Sequence, residues 1–368
     1  MKKKFYFENE DAETAHSEEY FREIMKEEGL NELKVLEAIP VPHSKSDFVY
    51  CMEADTCYEK SDCGKQCESY KPDNGKNGKC EFRGQYCDFG EEVVFNKKIK
   101  SFKGKAIYNP SGKAGEYSYW ACNFYKGCSN GCTYCYLKKG VLAQAMGGDK
   151  PELKSCFKNE ENALEIFKKE ILQNKEDLQK HGLFFTFTSD PFLKETIDLT
   201  HDAIGICQFN EIPVKVLTKT TWWVEDLLLD EDTYKDNRKD LIAYGFTLTG
   251  HDELEPNAST NLQRIQAMKE LHNAGFKIFA SIEPIVDFVS AKNMIGSTLE
   301  FCDLYKIGLM SGKKYDVVEA QSFVEWLNDL SKQPKIYLKE TLQELTHYTN
   351  EELDFNFVNR DYNMFTGV

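Results

Sequence analysis

From about residue 115 the chain alternates short apolar runs with stretches in which apolar residues recur every three or four positions. A short run suits a strand buried on both faces, and the longer spacing suits a helix with one apolar stripe. The pattern predicts a strand leading into Cys128, a helix over Glu161 to Lys180 and a strand over Leu183 to Thr188. A helix over Thr196 to Phe209, a strand over Val214 to Thr218 and a helix over Val224 to Leu229 follow. Next come a strand over Ile242 to Thr247, a helix over Thr260 to Ala274, and strands over Lys277 to Ile282 and Leu304 to Gly308 with a helix over Ala291 to Leu299 between them. Six strands alternating with helices imply parallel pairing through right-handed crossovers, in a barrel or an open doubly wound sheet. The remainder, 311 to 368, reads as one further helix, a strand over Lys335 to Leu338 and an aromatic tail.

The first 95 residues follow a different pattern. A helix over Glu18 to Glu28 ending at Gly29 and a strand over Leu33 to Ile39 precede a loop-rich stretch from Cys57 to Gly90 with Asn-Gly turn signals. The expected organisation is an appended module over 1–95, a core over 96–310 and an extension packing on that core over 311–368.

Composition narrows the functional classes. With 41% hydrophobic and 29% charged residues the 368-residue chain suits a globular protein. Its net charge of −15 disfavours non-specific nucleic-acid binding, which draws on lysines and arginines to release phosphate counterions. A run such as Lys97, Lys98, Lys100, Lys103 and Lys105 could form a local basic patch, a solvated loop being the simpler reading. No apolar signal core follows the initial lysines and no run of about 18 apolar residues exists, so a cytoplasmic protein without a membrane span is expected.

In that compartment 13 cysteines point to metal or cluster ligation before disulfides. Six of them, Cys51, Cys57, Cys63, Cys67, Cys80 and Cys87, fall in the N-terminal module with no two separated by two residues. Cys57, Cys63, Cys67 and Cys80 are the first choice for a ligand set holding zinc or an auxiliary iron–sulfur cluster, and unligated thiols are the alternative.

The sharpest pattern is Cys128, Cys132 and Cys135, with gaps of three and two residues in one loop. Three thiolates so spaced can hold three irons of a [4Fe–4S] cubane and leave the fourth iron without a protein ligand. An iron so exposed can chelate a small molecule. Gly127 and Gly131 give the loop freedom to wrap a cluster. A three-cysteine zinc site or three free thiols are the simpler readings of the triplet.

The flanking residues add specificity. Tyr108, Asn109 and Pro110 precede the loop; Tyr134 and Tyr136 bracket its last cysteine; Thr188, Ser189, Asp190 and Pro191 close the second strand. Leu217, Thr218 and Lys219 close the third, Phe246 and Thr247 the fourth, and Arg264 to Gly275 supplies the next helix. In this order, over about residues 107–310, the chain resembles the spore-photoproduct-lyase-like branch of the radical S-adenosylmethionine superfamily and its uncharacterised phage-type relatives.

The resemblance implies a partial (β/α)6 TIM-like barrel with its chemistry at the C-terminal strand ends. It implies a [4Fe–4S] cluster that cleaves S-adenosylmethionine to a 5′-deoxyadenosyl radical, which abstracts hydrogen from a substrate, with a flavodoxin or ferredoxin as electron donor. Ser189 with Thr188 and Asp190 would hold the cofactor's amino group, Lys219 and Thr247 its carboxylate or ribose, and Tyr134 would lie against its adenine. Tyr136 and Glu283 are the candidate catalytic residues, a structural salt bridge being the alternative for Glu283. The lyase repairs a thymine dimer with a hydrogen-donating cysteine two residues before the cofactor-binding serine; here Phe187 stands there, which argues against dimer repair. A non-catalytic iron–sulfur protein that binds partners or senses redox state is the reading from another class.

Overall fold

The computed structural model describes residues 101–229, 238–330 and 334–367, and within the first hundred residues only short strand pairs. Those pairs are antiparallel: Lys4–Phe5 with His16–Ser17, Phe48–Cys51 with Thr56–Glu59, and Tyr70–Lys71 with Lys79–Cys80. The helix and strand expected over 18–39, and the side chains of Cys57, Cys63, Cys67 and Cys80, lie outside the described residues. The chain divides into two compact units, Met1–Ser101 and Phe102–Val368.

The second unit is built on one eight-stranded sheet. In chain order its strands are β1 (Ile107–Tyr108), β2 (Ala121–Cys122), β3 (Leu183–Phe185), β4 (Val214–Thr218), β5 (Ile242–Thr247), β6 (Lys277–Ile285), β7 (Leu304–Leu309) and β8 (Lys335–Leu338). They lie side by side in that same order. β1 pairs antiparallel with β2, and every later pairing is parallel. The first and last strands do not pair, so the sheet is an open arc, as a partial barrel requires. The parallel set has seven strands where the sequence pattern suggests six, because Lys335–Leu338 adds itself beside β7.

Local chemistry explains most boundaries. Thr260 caps the helix Asn261–Asn273 with a full capping box completed by Gln263. Asp287 caps Phe288–Thr298 and Asp316 caps Val317–Asn328, each through its side-chain oxygen. The single helix expected over 161–180 is two, Glu160–Gln173 and Lys175–His181. Between them the Asn174 side chain donates to the Glu170 carbonyl, a bond that competes with continuing the helix.

Both faces of the sheet are covered. On one, Phe167 packs on Phe185, and Phe192 and Trp223 pack on Tyr244. On the other, Phe184, Ala243, Phe279, Leu304 and Tyr337 form a cluster closed by Tyr117, Val358 and Met364. That inner face also carries charge. Lys215 and Lys306 are buried, and their ammonium groups donate to the backbone carbonyls of Tyr117 (3.0 Å) and Glu116 (2.5 Å). Burial pulls Lys215 down to about 8 and Lys306 well below the ordinary lysine range.

Candidate cofactor site at the strand ends

Parallel strands all deliver their C-terminal ends to one edge, so residues far apart in sequence arrive there together. The loop of Cys128, Cys132 and Cys135 follows β2 and is shaped by two left-handed glycines, Gly127 (φ +80°) and Gly131 (φ +72°). At Gly127 the loop passes so close to its neighbour that an added Cβ would sit 2.3 Å from the Lys150 carbonyl oxygen. The Cys128 amide donates to the Gly148 carbonyl (3.0 Å), and a turn joins the Cys135 amide to the Cys132 carbonyl (3.3 Å).

A second loop, 248–259 after β5, walls the first. Thr133 N donates to Leu254 O (2.9 Å), Asn257 N to Asn130 O (3.2 Å) and the Asn257 side chain to Ser129 O (2.9 Å). The Tyr134 phenol donates to Glu255, whose carboxylate pairs with Arg264; both charged side chains are fully buried. Arg264 also donates to the carbonyls of Thr247 (2.6 Å) and Ser259 (2.8 Å), so this ion pair has its remaining hydrogen bonds satisfied.

Lys219 is brought among these groups. Its ammonium lies 5.8 Å from the Tyr134 ring centroid. Burial pulls the ammonium down, but the charges of Cys132 and Glu255 more than offset it and hold it above its ordinary range. Burial pushes the Cys128 thiol up to about 12, with Asp190 adding to the effect, and burial also raises Cys132. Among the described residues no three His, Cys, Asp or Glu side chains gather closely enough to ligate one metal ion.

The Thr188–Asp190 segment shows a division of labour. Asp190 accepts from four protein donors: Asn130 Nδ2 (2.8 Å), Phe192 N (3.0 Å), Thr218 Oγ1 (2.7 Å) and Lys219 N (2.8 Å). It therefore ties the cysteine loop to the ends of β3 and β4, with all four of these bonds made to the protein itself. Thr188 Oγ1 donates to the Tyr125 carbonyl (2.5 Å). Ser189 Oγ, between them, is buried with no hydrogen-bond partner among the described residues, and so is Asn130 Oδ1. Thr247 is buried at the end of β5, and its carbonyl is held by Arg264.

Tyr136 donates to the Phe187 carbonyl, and the Phe187 ring stacks on Phe184 with centroids 4.5 Å apart. Glu283 accepts from the Tyr117 phenol (2.8 Å) and from Lys339 (2.6 Å); Tyr117 also bonds Ser281 Oγ (2.7 Å). The salt-bridge alternative for Glu283 is thus present, with Lys339 as the cation. Sequence reasoning passes over Asn130, Glu255, Tyr117 and Lys339. Arg264 offers the one legible signal, an arginine on the same helical stripe as Ala267, Met268 and Leu271, where a buried acidic partner is needed.

The fold and site define an α/β protein with a cysteine loop at the C-terminal edge of a mostly parallel sheet. No family model matches the chain. An uncharacterised protein of Methanocaldococcus jannaschii is 26% identical over 221 residues, which cover 57% of this chain and 77% of that protein. Among solved structures, the chain is similar to Streptococcus suis SuiB bound to S-adenosylmethionine, at 14% identity and a TM-score of 0.41 over 60% of this chain. It is also similar to a mutant of spore photoproduct lyase, at 16% identity and a TM-score of 0.38 over 67% of this chain. The matched regions span 47% and 65% of those two chains.

Proposed function

We propose that this chain is a radical S-adenosylmethionine enzyme whose [4Fe–4S] cluster is held by Cys128, Cys132 and Cys135. The observation that carries the reading is the pairing of that triplet with an unpartnered, buried Ser189 hydroxyl at the end of the adjoining strand. A buried hydroxyl and the neighbouring Asn130 amide oxygen, both short of partners, fit the amino group of a bound ligand. Cluster and cofactor, when bound, supply a 5′-deoxyadenosyl radical that abstracts hydrogen from a substrate. The chain's own residues hold and screen. Ser189 and Asn130 would accept from the amino group, Lys219 would offer a cation to the carboxylate, and Tyr134 would offer a ring face to the adenine. The Glu255–Arg264 pair fixes Tyr134, and the Phe187 and Phe184 rings exclude water beneath the site. A flavodoxin or ferredoxin would supply the electron.

The test is anaerobic reconstitution with iron and sulfide, reduction with dithionite, and assay of 5′-deoxyadenosine from S-adenosylmethionine. Formation of 5′-deoxyadenosine is the expected result, lost in Cys128→Ala, Cys132→Ala and Cys135→Ala. A fully loaded cluster that yields none would sink the enzyme reading and leave an iron–sulfur protein of another class.

A further inference from the structure

The loop that walls the cysteines is fastened at one end by a histidine. His251 opens the turn after β5; its Nδ1 lies 2.7 Å from Glu253 Oε1 and its Nε2 lies 2.7 Å from Asp287 Oδ2. Asp287 belongs to a different element, where it caps the helix Phe288–Thr298. The turn is pressed against that helix: at Gly250 (φ +73°) an added Cβ would sit 2.9 Å from Ser290 Cβ. Three residues beyond His251, Leu254 accepts from Thr133; Glu255 receives the Tyr134 phenol, and Asn257 grips Ser129 and Asn130. The clasp therefore joins the wall of the cysteine loop to a rigid helix.

Ser290 Oγ stands 3.1 Å from His251 Nε2, and Glu253 sits on the opposite ring nitrogen, an arrangement that resembles a nucleophile with its base and orienting acid. The geometry argues against that use. Asp287 occupies the same ring nitrogen, and Ser290 donates its hydroxyl to Asp287 (2.9 Å) rather than to the imidazole. An imidazole between two carboxylates is stabilised as the cation and gives up its capacity to act as a base.

We infer that His251 is a positioning residue for the cysteine loop, acting as a cation that clasps Glu253 and Asp287 and releases the wall of the loop when it loses its proton. Its proton affinity is raised: burial works against the cation, but Glu253 and Asp287 outweigh it. Glu253 is lowered chiefly by its hydrogen bond to His251; at Asp287 burial acts upward, but the Ser290 amide and then His251 outweigh it, so both carboxylates stay charged while the imidazole titrates. These two are the charged groups that reach the ring; Asp252, next in the chain, is engaged by Asn261 (2.7 Å). The sign follows from linkage: a base whose affinity is raised by folding contributes fully below its unfolded value near 6.5, and the contribution fades as pH rises through the higher folded value.

The experiment is hydrogen exchange of residues 129–135 in the cluster-free full chain, comparing wild type with His251→Asn at the same pH, so that intrinsic exchange cancels and no cofactor chemistry is involved. At pH 6 the wild type should protect this segment about two- to fivefold more than the variant, as expected for partly exposed ion pairs, and by pH 9 the two should converge. Glu253→Gln, at a surface position, should lower protection at pH 6 with no risk to the core. His251→Arg, charged at both values, should retain protection at pH 9. Equal protection of wild type and His251→Asn at pH 6, or a gap that persists unchanged to pH 9, would overturn the inference.

Discussion

A buried hydroxyl without a partner costs folding free energy, on the order of 1–3 kcal/mol, unless a ligand arrives to use it. Ser189 Oγ is in that position while its neighbours Thr188 and Asp190 both have protein partners. Ser189→Ala should therefore leave the ligand-free protein as stable as the wild type or about 1 kcal/mol more so, while weakening S-adenosylmethionine binding several-fold. Thermal unfolding and equilibrium binding measured on the same samples separate the two effects; a large loss of stability would show that the hydroxyl serves the fold instead. The residue types here were legible from sequence as a set. Which of the three polar residues is left without a partner was not, since that depends on where donors from Asn130, Thr218 and Lys219 converge on Asp190.

At the scale of elements, the cysteine loop depends on a backbone path that only glycine follows easily. At Gly127 the φ of +80° and the 2.3 Å approach of an added Cβ to the Lys150 carbonyl act together. Strain of about 1–3 kcal/mol from the dihedral alone is expected in Gly127→Ala, and the steric conflict adds to it. Reconstituted iron per chain should drop by at least half while far-UV circular dichroism stays near wild type; iron retained in full would show that the loop can re-route. The strands and helices of this half were read closely from the apolar pattern, because each strand is buried on both faces and each helix carries one stripe. The split at Asn174 was missed, since both halves keep the same stripe and the break comes from one side-chain bond.

Across the whole molecule, the inner face of the sheet is joined by charge as well as by packing. Lys339, at the end of the last strand, is buried and reaches Glu283 (2.6 Å) and Glu116 (3.3 Å). Glu116 accepts in addition from Tyr337 Oη (3.2 Å) and the Glu340 amide (2.8 Å), tying the segment before β2 to the opposite edge of the sheet. Removing the cation strands two acidic groups, so Lys339→Met should cost about 3–5 kcal/mol in urea unfolding, and adding Glu283→Gln should recover part of the loss. Destabilisation below 1 kcal/mol would mean that water or another cation takes the place of Lys339.

The sequence by itself determined the alternation of strands and helices, the parallel pairing it imposes, and the cysteine spacing, because all three are written in local periodicity and in residue type. The fold alone settles that the segment over 335–338 completes the sheet, that Asp190 is bonded within the protein while Ser189 is not, and that Glu255 meets Arg264 and His251 meets Asp287 beside the loop that walls the cysteines. Those outcomes rest on which charges and hydrogen-bond donors meet across the fold, and residues tens of positions apart meet only where the strand ends converge.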